Sequence, residues 1–187
     1  MSEILFTNAR LIDPVTLTDA PGWLRVAKGK IVESGDGKAP EAKGEVVDCG
    51  GLCLAPGIID IGVKVSEPGE RHKESFRSAG KAAAAGGVTT IVTRPDTTPA
   101  IDSPEILEFV ARRAAAEAIV NVLPMAALTK GRAGREMTEI GFLQDAGAVA
   151  FTDCDRVVTD TKVYARALTY ARSLGALVIG HVQEPIL

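Results

Sequence analysis

The chain has 187 residues, 46% of them hydrophobic, 24% charged and only 4% aromatic, the balance of an ordinary globular protein rather than a disordered one. A formal net charge of −3 provides no field that would draw nucleic acid or an anionic membrane, so neither is expected as a partner. The opening MSEILFTNARLIDP lacks the basic stretch and apolar core of a secretory leader, and no apolar run reaches the roughly 20 residues of a membrane span. Three cysteines, Cys49, Cys53 and Cys154, are an odd number and read as free thiols in a reducing cytoplasm.

Residues 1–55 read as a small all-β unit. Ile4 to Leu11 is a β-rich run ending at the turn Asp13-Pro14, and Trp23 to Val32 alternates around a hairpin turn at Lys28-Gly29-Lys30. A polar loop from Gly35 to Gly44 leads to a further strand, Glu45 to Leu54, broken by Gly50-Gly51. Cys49 and Cys53 are read as small buried strand residues rather than half of a zinc site, because no second Cys/His pair follows.

From residue 56 onward strands alternate with helices. Ile58 to Val65 is a near-continuous apolar run, the signature of a buried parallel strand. Phe76 to Ala85 is an alanine-rich helix closed by Gly86-Gly87, and Val88 to Thr93 is the next strand. Ser103-Pro104 opens a second helix, the hydroxyl serving as cap and proline sitting in the first turn. Asn121 to Leu128 is a third strand, Glu136 to Ala146 a helix, Ala148 to Phe151 a fourth strand. Arg132 to Glu136 reads as a solvated helix entrance. Asp160 caps a helix with the apolar stripe Val163, Tyr164, Ala167, Leu168 and Ala171, and Ala176 to Gly180 is a fifth strand. Five strands and four helices predict the start of a TIM-type barrel or a doubly wound sheet. A complete (β/α)8 barrel takes about 250 residues, so an incomplete barrel is expected, with open edges on the first and fifth strands that invite pairing with another chain.

Sites in such folds lie at the C-terminal ends of the strands. The first strand runs Asp60-Ile61-Gly62-Val63-Lys64-Val65-Ser66-Glu67-Pro68-Gly69, and alternation places Asp60, Gly62, Lys64 and Ser66 on one face. The second ends Thr93-Arg94-Pro95-Asp96-Thr97-Thr98-Pro99, the fourth Phe151-Thr152-Asp153-Cys154-Asp155, the fifth Gly180-His181-Val182-Gln183-Glu184. No Walker or GxGxxG pattern is present. His72, followed by Lys73 and Glu74 in a polar loop, is read as structural.

The run Ala55-Pro56-Gly57-Ile58-Ile59-Asp60, then Glu67-Pro68-Gly69 and His72-Lys73-Glu74, resembles the opening of the dihydroorotases of the amidohydrolase superfamily. Gly87-Val88-Thr89-Thr90-Ile91-Val92, Pro95 to Pro99, Phe151-Thr152-Asp153 and His181 continue the likeness in order through the whole chain. The resemblance implies the N-terminal portion of a (β/α)8 barrel, preceded in residues 1–55 by strands of a small β-sandwich. It also implies a divalent metal, usually zinc, that activates water for reversible hydrolysis of the cyclic amide of dihydroorotate to N-carbamoyl-aspartate in pyrimidine synthesis.

The departures fall on the chemistry. Where the family pattern has two metal-binding histidines and a substrate-binding arginine on the first strand, this chain has Gly62, Lys64 and Ser66; where it has a substrate-contacting asparagine, this chain has Asp96. Asp153 and His181 alone survive as plausible metal ligands. A catalytic zinc usually takes three protein ligands and an open position. Glycine donates nothing, and lysine ligates only as the neutral amine, against a reference pKa of ~10.4. Loss of the arginine and gain of Asp96 disfavour a dicarboxylate. No cofactor is therefore expected, zinc only if the chain is active. Lys64 is expected either to neutralise Asp153 across the barrel mouth or to extend into solvent. The resemblance implies a noncatalytic, oligomeric dihydroorotase-like protein supporting the assembly of aspartate transcarbamoylase. The competing expectation is an active zinc dihydroorotase completed by a C-terminal portion or a second chain.

Overall fold

Lys28 and Gly29 both adopt positive φ, 53° and 74°, the type I′ geometry whose twist matches that of a two-residue hairpin's flanking strands. They join β2 (Thr18–Ala27) to β3 (Lys30–Gly35) in the computed structural model, which describes residues 3–183. β2 also pairs antiparallel with β1 (Glu3–Asp13). On its other side β1 takes β4 (Glu45–Asp48) and the short β5 (Cys53–Leu54) in parallel. These five strands form one sheet within a unit spanning Met1–Pro56, whose buried apolar residues are Leu5, Ala9 and Trp23. Trp23 Nε1 donates to the Asp36 carbonyl at 3.2 Å, so the indole is buried without losing its polar partner. Cys53 is exposed and Cys49 partly so, which corrects the expectation that both are buried; all three cysteines are free thiols.

The second unit, Gly57–Leu187, is built on a parallel sheet of β6 (Ile58–Val63), β7 (Val88–Thr93) and β8 (Asn121–Pro124). Helices α1 (Phe76–Ala85), α2 (Pro104–Glu117), α3 (Ile140–Asp145) and α4 (Thr161–Ser173) accompany it. The main core holds Phe76, Ile91, Leu107, Leu128, Ile140 and Phe151 among others, and a smaller cluster gathers Val92, Met125 and Ala150. Ile91 and Val92 fall in different clusters because alternate strand residues point to opposite faces. Among the described residues no helix is long and apolar enough to cross a membrane.

Caps explain where the helices begin. Ser75 and Ser78 form a reciprocal capping box at α1, and the Asp160 carboxylate accepts from the Lys162 and Val163 amides at 2.9 and 3.2 Å. At α2 the Ser103 hydroxyl makes no cap bond, contrary to expectation; Pro104 alone supplies the start signal. α3 begins four residues later than the sequence predicts, because Thr129 bridges Met137 and the Thr138 hydroxyl donates to the Ala127 carbonyl at 2.8 Å. That extended segment leaves only 140–145 free to coil.

Two expectations for the sheet are corrected. The runs 148–151 and 176–180 are not full strands: Ala126 bridges Phe151, and Phe151 bridges Val178. The parallel hydrogen-bond alternation is present but short, with Ala126 N to the Ala150 carbonyl, Phe151 N to Leu177 and Ile179 N to Phe151, all 2.9 Å. The apolar run of β6 is not buried either. Ile58, Ile59 and Ile61 are more than half exposed, since among the described residues β6 pairs only with β7.

Candidate functional site

β6 ends in a bulge. Ile61 pairs with Val92 and Val63 with Thr93, so Gly62 is the extra residue, at φ 98°. That conformation is open to glycine and strained for any other residue. The bulge breaks the alternation that set Asp60, Gly62, Lys64 and Ser66 on one face. Lys64 is exposed, whereas Ser66 is buried, its carbonyl accepting from Glu70 N at 2.8 Å. Ser66 therefore presents no group at the strand-end mouth.

Lys64 does not pair with Asp153. Its Nζ lies 3.2 Å from Oδ2 of Asp96, whose side chain is only 4% exposed. Arg94 grips the same carboxylate as a fork, Nε to Oδ1 at 3.2 Å and one terminal nitrogen to Oδ2 at 2.9 Å. The Arg94 amide donates to the Val63 carbonyl at 2.9 Å, so β6 and β7 together place all three charges. The loop is further fixed where Gly69 meets Thr98: a Cβ at Gly69 would fall 2.5 Å from the Thr98 carbonyl oxygen. Burial lowers the Arg94 pKa, but Asp96 and Cys154 outweigh it and leave Arg94 above its ordinary value. Burial, then Asp96, push the Cys154 thiol up, against the pull of Arg94 and Arg132.

Asp153 is buried and committed elsewhere. Oδ1 accepts the amides of Leu128 and Thr129, each at 3.0 Å, and Oδ2 accepts the Thr129 hydroxyl. Among the described residues it forms no salt bridge, and its carbonyl receives two bonds from Arg132 at 3.2 and 3.0 Å. Arg132, 9% exposed, also pairs with Asp155, so within the run 132–136 expected to be solvated it is instead a buried brace, while Arg135 and Glu136 are exposed. Arg94, Arg132 and Asp155 were not singled out by sequence reasoning. The strand-end position of Arg94 and Asp155 was a signal, but Arg132 lies in a loop whose burial only the fold reveals.

His181 is exposed, with Nε2 2.9 Å from the Gln183 side-chain oxygen; Glu184 lies outside the described residues. Gly62 and His181 line one cleft of about 330 Å³ with Arg94, Met125, Thr152 and Cys154. Asp153 and His181 border another of about 420 Å³ with Leu128, Arg156 and Tyr164. The structure thus joins Lys64 to Asp96, sets His181 beside Gly62 on one side and Asp153 on the other, and leaves Ser66 apart.

Among the described residues the strand-end positions do not by themselves supply the three protein ligands of a catalytic zinc. Gly62 has no donor, Lys64 is in an ion pair, and Asp153 already accepts three protein hydrogen bonds, two on Oδ1 and one on Oδ2. Among the described residues no group of three or more His, Cys, Asp or Glu side chains is placed to hold a metal. The arrangement offers two cations paired to one internal carboxylate, Arg94 also lining a cleft of mixed polar and apolar residues.

Comparison with known proteins agrees with this architecture. The chain is 40% identical over 182 residues to a dihydroorotase of Geotalea daltonii, covering 97% of this chain and 43% of that protein. It is 41% identical over 183 residues to a dihydroorotase of Wolbachia sp. subsp. Drosophila simulans, covering 97% and 41%. It therefore spans about two fifths of the length of these relatives. The L-hydantoinase (dihydropyrimidinase) of Arthrobacter aurescens shares the fold at a TM-score of 0.81 and 21% identity, over 97% of this chain and 41% of that one. A D-hydantoinase does so at 0.78 and 24%, over 97% and 40%. At these identities the likeness shows the fold alone, and makes the chain a mixed α/β portion of the fold that these proteins share. The family described as dihydro-orotase-like matches residues 51–186, and the chain belongs to it.

Proposed function

We propose that this chain is a noncatalytic dihydroorotase-like protein of pyrimidine biosynthesis, cytoplasmic, whose barrel is retained for oligomeric assembly with aspartate transcarbamoylase. The observation that carries the loss of catalysis is the fate of the strand-end positions. Gly62 is a bulge without a donor, Lys64 is paired to Asp96, and Asp153 is hydrogen-bonded into the 128–129 loop. Among the described residues a zinc ion there would find at most two ligands, Asp153 and His181, short of the usual three, and Asp153 already accepts three hydrogen bonds. The partner is inferred from the family resemblance alone.

The test has two arms. The protein is assayed for bound metal and for turnover of dihydroorotate, with no stoichiometric zinc and no turnover expected. It is then mixed with aspartate transcarbamoylase and resolved by size exclusion; co-elution, and loss of oligomer or activity when it is withheld, is the expected result. Stoichiometric zinc with turnover would establish the second reading, an active zinc-dependent dihydroorotase completed by residues beyond these 187. The relatives at 40 and 41% identity are dihydroorotases, which supports the family and does not separate the two readings.

A further inference from the structure

The Asp96 carboxylate is held as a free carboxylate would be held. A planar guanidinium meets both of its oxygens, and an ammonium reaches one of them, Oδ2, as well. This fork-plus-point-charge arrangement is a complete recognition site for one carboxylate group. Its ligand is a side chain of the same chain. Asp96 stands two residues after Arg94 on a loop anchored at both ends, by Arg94 N on the Val63 carbonyl and by Ile101 N on the Pro95 carbonyl at 3.1 Å.

The cations that hold it are not sealed off. The Lys64 side chain is 54% exposed and that of Arg94 29%. Arg94 also lines the cleft it shares with Gly62, Thr152 and His181. The one other carboxylate near Arg94 among the described residues is Asp155, at 3.8 Å, and it is held more tightly by Arg132. Removal of the Asp96 carboxylate would thus leave the Lys64 ammonium and the Arg94 guanidinium without the partner they share, Arg94 keeping only the longer contact to Asp155, which Arg132 holds more closely. Neither Arg94 nor Lys64 is a position to which the family resemblance assigns carboxylate binding.

We propose that Arg94 and Lys64 form a carboxylate-binding site that Asp96 occupies from within, so that the chain carries a self-occluded anion site. Its external ligand is a small carboxylate. Asp96 competes with that ligand at the effective concentration of a tethered group, which no dilute anion matches. The site excludes free carboxylates while Asp96 is in place and accepts them when it is withdrawn. The inference does not depend on the chain's assembly partner or on its catalytic state.

The test is calorimetric titration of the full chain with malonate at low ionic strength, malonamide serving as the uncharged control. Asp96→Ala is expected to bind malonate at least about tenfold more tightly than the unaltered chain, the scale of one charge-assisted contact. Malonamide should bind neither protein. Adding Arg94→Ala to the Asp96→Ala chain should abolish the gain. A folded Asp96→Ala variant that titrates like the unaltered chain would overturn the proposal, as would retained binding in the double variant. Should Asp96→Ala fail to fold, Asp96→Ser, whose hydroxyl is too short to fill the fork, is read the same way. Failure of both to fold would make Asp96 a structural brace and end the proposal. Loss of the malonate result leaves the co-elution experiment above unaffected, so the two readings fail separately.

Discussion

At position 62 the backbone sits at φ 98° in a bulge, and a Cβ built there meets nothing within 4 Å. Space is available, but the conformation penalises any side chain by about 1–2 kcal/mol. Gly62→His therefore restores a ligand type without restoring a site. We expect the variant to lose about 1–2 kcal/mol of stability and to show no zinc-dependent rise in its unfolding midpoint, because Asp153 stays bonded to Leu128 and Thr129. Thermal unfolding with and without zinc checks this; a midpoint that climbs with zinc would show that the position still belongs to a metal centre. The missing histidines were legible in the sequence. The partner of Lys64 was not read correctly, although its register was within reach. β6 and β7 are adjacent, about 4.8 Å apart, so the loop after β7 offers the nearest carboxylate, Asp96, and Asp153 lies beyond β8. What no pattern in the residues conveys is the bulge, because one residue of slippage turns every later side chain to the other face.

The loop between β6 and α1 is an element fixed by one buried acid. The Glu67 side chain, 5% exposed, accepts from Arg113 Nε on α2 at 2.9 Å and lies 3.7 Å from Arg71. Its other oxygen accepts the Phe76 amide at 3.3 Å, one of the unpaired donors at the start of α1. Hydrogen bonding to Glu67, against burial, raises the Arg113 pKa above its ordinary value. Glu67→Ala should cost about 2–3 kcal/mol, the range for breaking a largely buried pair discounted for the partial exposure of Arg113. Glu67→Gln should recover part of that loss through its carbonyl oxygen. Urea unfolding of the three proteins decides; an unchanged midpoint in Glu67→Ala would mean the loop is held by its backbone bonds alone. α1 and β7 were legible to the residue, because each has a clear period bounded by caps or glycines. α3 was not, because residues 136–139, which carry helix-forming side chains, are tied down by the Thr129–Met137 bridge and the Thr138 hydroxyl bond before the helix can start. The fourth and fifth strands shrink to bridges for a related reason: strand character in a parallel sheet depends on neighbours, and at 176–180 one neighbour is all the described residues supply.

Across the whole molecule the shifted acids point one way. The Arg10 hydrogen bond holds Asp19 below the ordinary carboxylate range, the Gly50 amide does so for Asp48, and the Val15 amide for Asp13. In the second unit Lys73 lowers Glu70 and Arg77 lowers Glu117. A carboxyl whose folded pKa is depressed favours the folded state above its unfolded pKa, and that contribution disappears as pH falls through the folded value. On the alkaline side the partly buried Cys154 thiol is raised from 9.0 and Lys130, bonded to Glu136, from 10.5. Both contributions are full below those unfolded values and are lost as pH rises past them. Stability should therefore be flat between about pH 5 and pH 9 and fall on either side. The acid limb rests on exposed pairs, so it should be shallow and should flatten further in high salt. The alkaline limb rests partly on a half-buried thiol, which salt screens less than the exposed pairs. Urea midpoints measured from pH 3 to pH 10 at low and high ionic strength test both limbs. A midpoint that rises on acidification below pH 4 would show that repulsion among the carboxylates outweighs their pairing. A Cys154→Ser variant that keeps the alkaline decline unchanged would shift that limb from the thiol to Lys130.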